Sequence, residues 1–156
     1  MKNDRFFLSR AVGIAADGIT EGGGPFGAVI TRGNEIIAES NNKVVLSHDP
    51  TAHAEMNVIR EASAFLNTHD LSECTLYTSC EPCPMCLGAV YWSGIRKVVY
   101  ACDRLDAAAA GFNDKFIYEE IMLNPSLRKI SFIRLPGCNG EEVFRKWNEF
   151  EDKIPY

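Results

Sequence analysis

Residues 74–102 read CTLYTSCEPCPMCLGAVYWSGIRKVVYAC, and the order of patterns in this stretch decides the fold. Cys74–Thr78 is a short run of the strand type. Pro84 suits the first position of a helix, where the donor it lacks would be unpaired in any case, and the helix runs to about Trp92. Lys97–Cys102 is an apolar run of the kind that sheets bury. A strand, a helix and a second strand in this order predict parallel pairing through a right-handed crossover.

Working outward, Asp4 to Gly18 places Phe7, Ala11, Ile14 and Ala15 at helical spacing behind Asp4 as a cap. Gly22-Gly23-Gly24-Pro25 stops that helix. Phe26–Thr31 and Glu35–Ser40 form a hairpin across Gly33-Asn34. A polar stretch ends at Asp49-Pro50-Thr51, and a helix follows over Ala52–Leu66, carried by Met56, Ile59, Ala62, Ser63 and Leu66. Beyond residue 102 the patterns predict a helix at Phe116–Leu123, a strand at Ile130–Leu135 and a last helix at Glu141–Lys153. The fold class is α/β, a three-layer α-β-α arrangement with a mixed sheet of about five strands and helices on both faces. No linker, repeat or low-complexity segment divides residues 1–156, so one domain is expected.

The 156 residues are 46% hydrophobic and 24% charged, which excludes disorder, collagen and coiled coil. No apolar run approaches the roughly 18 residues of a membrane span. Acidic residues outnumber basic ones, 21 to 16, for a formal charge of −5, a poor match to a nucleic-acid partner. Lys2, Asp4 and Arg5 interrupt the first eight residues, unlike a secretion signal, so a cytoplasmic address is expected. Of the six cysteines, Cys80, Cys83 and Cys86 are clustered, which favours metal or catalysis over disulfides. Cys74, Cys102 and Cys138 stand alone and read as buried free thiols.

Two segments at helix starts carry chemistry: His53-Ala54-Glu55 and Pro82-Cys83-Pro84-Met85-Cys86. Cys83 and Cys86, three apart, turn both sulfurs to one side of a first helical turn. The partial positive charge of a helix N-terminus favours their thiolates. Two thiolates and the His53 imidazole suit one zinc ion per subunit and leave a fourth tetrahedral position open to water. Glu55 is then the proton acceptor that zinc, weakened as a Lewis acid by two thiolates, requires. Residues two apart on a regular helix point nearly opposite ways, so His53 must sit at the very start of its helix. A closed structural site of Cys80, Cys83, Cys86 and His53 competes with this reading but leaves Glu55 idle. A thioredoxin-like role fits the triple-cysteine run worse, and a non-catalytic zinc scaffold gives no reason for Glu55.

H-x-E followed by P-C-x-x-C is the signature of zinc nucleobase deaminases. The chain resembles the bacterial guanine deaminases, of cytidine-deaminase-like fold, over essentially its whole length. The likeness rests on residues 24–29 (GPFGAV), 49–55 (DPTAHAE), 77–89 (YTSCEPCPMCLGA), 110–118 (AGFNDKFIY) and the terminal Tyr156. The first and third stretches are shared with tRNA adenosine deaminases; Gly111-Phe112-Asn113-Asp114 and Tyr156 are the narrower signals. The resemblance implies hydrolysis of guanine to xanthine and ammonia, with Glu55 moving a proton from water to the ring and Asp114 assisting amine departure. It implies that Asn42 hydrogen-bonds the purine, that Phe26, Trp92 and Phe112 wall the base, and that Ala54 and Tyr156 contact it. It further implies a homodimer in which a C-terminal segment, about 137–156, closes over the neighbouring subunit's site. A helix cap at Asp114, a turn at Asn42 and core positions for Phe26 and Trp92 are the structural alternatives. The nearest rival is a tRNA adenosine deaminase, disfavoured by the acidic balance; guanosine and cytosine deamination remain open.

Overall fold

Apolar residues three and four apart build the first helix, α1 (Lys2–Thr20), and bury Phe7, Ala11 and Ala15 along one stripe. The computed structural model describes residues 2–155. Two strands follow α1, β1 (Gly24–Arg32) and β2 (Glu35–Asn42), turned at Gly33, whose φ of +61° suits a residue without a side chain. After a one-turn helix, α2 (Val44–Ser47), come α3 (Ala54–Leu66), β3 (Cys74–Cys80), α4 (Pro84–Trp92) and β4 (Lys97–Cys102). The sheet order is β2-β1-β3-β4. β1 is antiparallel to β2 and β3, while β3 and β4 are parallel, registered from Thr75 opposite Lys97 to Cys80 opposite Cys102. The strand–helix–strand reading of residues 74–102 is therefore the observed one, with α4 as the connection.

Successive strand residues face opposite sides, and each side has its own core. Ala28, Ile30 and Leu76 pack with Ala54, Val58 and Ala62 of α3 and Val90 of α4. Val29 and Tyr77 pack with Phe7 and Ala11 of α1. The sheet thus has helices on both faces. Gly27 allows α1 to lie directly on β1: a β-carbon there would strike the Ala11 carbonyl and stand 2.6 Å from the Ala15 nitrogen. On the α1 side, Tyr77 donates its phenol to Asp4 at 2.7 Å, and Lys97 reaches the same carboxylate at 2.7 Å.

Residues 1–114 form one compact unit and residues 115–156 another, a division that no linker in the sequence announces. The first ends beyond α5 (Arg104–Ala109), which Asp103 and Asp106 close with a capping box. The second holds α6 (Lys115–Met122), a 3-10 turn at Pro125–Leu127 and α7 (Gly140–Glu149). None of its described residues is buried.

Several expectations are corrected. The sheet has four strands, not five, because Ile130–Leu135 is irregular. A strand needs a neighbour for its backbone N–H and C=O groups, and residues 115–155 contain no other strand. The short helices α2 and α5 fall in stretches for which the sequence patterns predict no element. Among the single cysteines only Cys74 is buried, whereas Cys102 and Cys138 are exposed.

Candidate metal centre and active site

His53 is the N-cap of α3, in extended conformation (φ −65°, ψ 154°), and Cys83 is the N-cap of α4 in the same conformation (φ −64°, ψ 169°). Neither side chain caps its own helix. Both are therefore free to turn outward from the helix start, which resolves the two-residue spacing of His53 and Glu55. Pro84 holds the first position of α4, and Cys86 follows in the same turn, fully buried.

His53 Nδ1, Cys83 Sγ and Cys86 Sγ form a triangle with all three edges at 3.6 Å. Tetrahedral ligands at ordinary zinc–sulfur and zinc–nitrogen bond lengths stand roughly 3.6–3.8 Å from one another. The donor set and its spacing fit zinc. Among the described residues these three form the group able to hold a metal. Cys80 stands outside it, its thiol donating to the Asp103 carbonyl at 3.4 Å and pushed up to about 11 by burial. The closed four-ligand alternative therefore loses its fourth ligand.

The electrostatics suit a cation. The Cys86 thiol, helped by His53, holds the Cys83 thiol down to about 4 against the effect of burial. Cys86 is driven the other way, by its bond to Cys83 and by burial. The bond to Cys83 raises the His53 imidazole. Glu55, in the first turn of α3, is buried, and burial lifts its carboxyl above the usual range; the Cys83 charge adds to that lift. Its own backbone N–H, His53 and the Cys86 thiol pull in the opposite direction. A buried carboxyl beside two sulfurs and an imidazole is equipped to take up and return a proton.

The loop carrying Cys83 is pinned to the turn between β4 and α5, a feature the sequence reading missed. Glu81 N–H donates to the Cys102 carbonyl at 2.8 Å, and Arg104 N–H donates to Glu81 Oε2 at 3.2 Å. No local pattern signals these bonds, because they join segments more than twenty residues apart. Asn42 ends β2, buried, with Oδ1 accepting from Val44 N–H at 3.2 Å. Ala54 is buried in the first turn of α3. Asp114 is half-buried; burial raises its carboxyl, as does the Cys83 charge, while Arg104 draws it back.

Phe26 and Phe112 meet edge to face with ring centres 4.9 Å apart. They line an apolar cavity of about 230 Å³ together with Val12, Ala15, Cys80 and Cys102. Trp92 does not join them. It lies at the far end of α4, 72% exposed, beside a hollow lined by Ile59, Ser63 and His69. Six residues of helix separate it from Cys86, about 9 Å along the axis. Tyr156 lies outside the described residues.

Comparison with known proteins places these features in a family. Residues 1–102 match the model of the cytidine and deoxycytidylate deaminase zinc-binding region. The chain is 49% identical to guanine deaminase of Bacillus subtilis over 155 residues, 99% of each protein. A crystal structure of B. subtilis guanine deaminase superposes with a TM-score of 0.94, at 49% identity, covering 97% of this chain and 98% of that one. A tRNA-specific adenosine deaminase of Aquifex aeolicus is 42% identical over 120 residues, 76% of this chain and 78% of its own. NE0047, solved in complex with 2,6-diaminopurine, superposes with a TM-score of 0.66 at 39% identity, over 69% of this chain and 61% of that one.

Proposed function

The chain belongs to the cytidine and deoxycytidylate deaminase zinc-binding family, and on that premise we propose that it hydrolyses guanine to xanthine and ammonia. The observation that carries the reading is the His53–Cys83–Cys86 triangle with buried Glu55 beside it, on a chain like guanine deaminase from end to end.

His53, Cys83 and Cys86 hold one zinc ion per subunit. When bound, zinc would supply the Lewis acidity that makes water a competent nucleophile near neutral pH. Glu55 accepts the proton of the attacking water and returns it to the ring nitrogen beside the reacting carbon. Asp114 assists the departing amine. The Asn42 amide reads the purine edge with a donor and an acceptor. The Ala54 N–H, in the first turn of α3 where backbone donors lack intrahelical partners, is available to a ring acceptor. Phe26 and Phe112 contribute flat apolar wall. The diaminopurine bound by NE0047 supports a purine as ligand class.

The same reading includes a cytoplasmic homodimer in which residues 137–156, with Tyr156, close over the neighbouring site. The apolar side chains that α7 leaves exposed, Phe144 and Val143 among them, support it. Trp92, exposed on its own subunit, then serves as a base wall only if it faces a neighbour.

The test is ammonia release from zinc-loaded protein given guanine, guanosine, adenine, cytosine or a tRNA with an adenosine anticodon. Turnover of guanine alone is expected. Conversion of the tRNA adenosine to inosine, without turnover of guanine, would transfer the same residues to the rival reaction.

A further inference from the structure

The site is assembled from two segments distant in sequence: the end of β2, with Asn41 and Asn42, and the turn into α3, with His53, Ala54 and Glu55. Their backbones are joined by hydrogen bonds as well as by core packing. Lys43 N–H donates to the Ala52 carbonyl at 2.9 Å. A further link is a side chain. Asn57 Nδ2 donates to the Asn41 carbonyl at 3.1 Å and to the Ala52 carbonyl at 3.3 Å. Asn57 stands in the second turn of α3, where its own N–H bonds the His53 carbonyl at 3.0 Å. It is thus tied by backbone to the metal ligand and by side chain to the residue before Asn42.

The geometry points to Asn57 as a positioning residue that sets the distance between the base-reading Asn42 and the His53–Glu55 turn; this rests on the functional reading given above. An amide NH₂ can serve two carbonyls at once, and this one does. A carboxylate of the same shape would face both carbonyls with oxygen, losing both bonds and adding repulsion. The β2 end would then draw away from α3 and carry Asn42 with it. His53, Cys83 and Cys86 keep their places, because the Asn57 amide serves backbone carbonyls and the Asn57 N–H bond to the His53 carbonyl is intact. The loss should therefore fall on substrate binding more than on the chemical step.

The experiment is steady-state kinetics on full-length, zinc-loaded protein with guanine, comparing wild type, Asn57→Asp, Asn57→Gln and Lys97→Met. Lys97→Met serves as a control for general destabilisation, since Lys97 pairs with Asp4 on the α1 side of the sheet. For Asn57→Asp the expected result is a KM raised about tenfold, with kcat within about threefold of wild type. Zinc per chain should be unchanged by metal analysis. Asn57→Gln, which keeps the donor, should recover part of the KM. Lys97→Met should lower the melting temperature and leave KM alone. An unchanged KM in Asn57→Asp, with a melting loss like that of Lys97→Met, would overturn the inference alone. A wild type that turns over no guanine would overturn both the inference and the functional reading.

Discussion

Residues 1–114 and 115–156 handle apolar surface in opposite ways. The first unit buries Ile30, Val58 and Leu76 to completion between sheet and helices. The second buries none of its described residues, yet α7 and its flanks expose Phe144, Phe150 and Ile154, each more than half accessible. Sequence accounts for the contrast. In the first unit, period-two strands and period-3.6 helices supply complementary faces that close on each other. In the second, three short helical elements present apolar stripes without a sheet to receive them. A segment this small cannot bury enough surface to hold itself together. Exposed apolar side chains on an amphipathic helix are the surface on which the proposed homodimer rests. The candidate metal residues and Glu55 all lie in the first unit.

The strongest way to break this contrast is to cut equally into both units. Leu76→Ala removes a fully buried β3 side chain from the core between the sheet and α3 and should cost about 2–5 kcal/mol. Leu127→Ala, on the exposed 3-10 turn, should cost within about 0.5 kcal/mol. Urea unfolding at dilute protein checks both, and equal losses would mean that the second unit carries a core of its own. Gly27→Ala belongs with the large effects. Its β-carbon meets α1 backbone rather than a yielding side chain, and about 1–3 kcal/mol should be lost in the same measurement.

A sharper version addresses the surface of α7. Phe144→Ser with Trp147→Ser should convert a dimer to a monomer by light scattering, while the unfolding free energy of the first unit moves by about 0.5 kcal/mol or less. A dimer that persists would remove α7 from the proposed interface.

The smallest effect is a pH slope inside the first unit. The Tyr77 phenol is pushed up to about 12 by burial and by its bond to Asp4, from an ordinary value of 10.0. The folded state therefore favours the neutral phenol. That stability is complete below pH 10 and declines as pH rises to about 12. Asp4 acts with the opposite sign: bonds from Lys97 and Tyr77 hold its carboxyl down at about 2, from 3.8, so its contribution is lost as pH falls through that interval. Melting temperature against pH should show an alkaline decline in wild type that is flattened in Tyr77→Phe. An identical decline in both would contradict the assignment.

What the sequence made legible, and what it hid, divides along the same line. The β1–β4 strands, α1, α3 and α4 were readable because period, caps and Pro84 agreed within each segment. The candidate metal residues were readable because two of them, His53 and Cys83, cap helix starts and Cys86 follows Cys83 by three. The strand expected at Ile130–Leu135 rests on a short apolar run, Ile130, Phe132, Ile133 and Leu135, but composition does not supply the pairing partner that makes a run a strand, and the segment is irregular. Asn57 gave no signal, since its value lies in reaching Asn41 across a fold that must exist first. Trp92, a base wall by resemblance, stands at the opposite end of α4 from Cys86, a separation that the motif spacing does not display.

The most direct test of the central claim is the turnover of Glu55→Gln in protein whose zinc content has been measured. One zinc per chain with kcat on guanine reduced by about 10²–10⁴ is the predicted result, because the amide keeps the shape and loses the proton transfer. Near-normal turnover at full zinc occupancy would contradict it, and the buried carboxyl beside Cys83 and Cys86 would then have no part in the reaction.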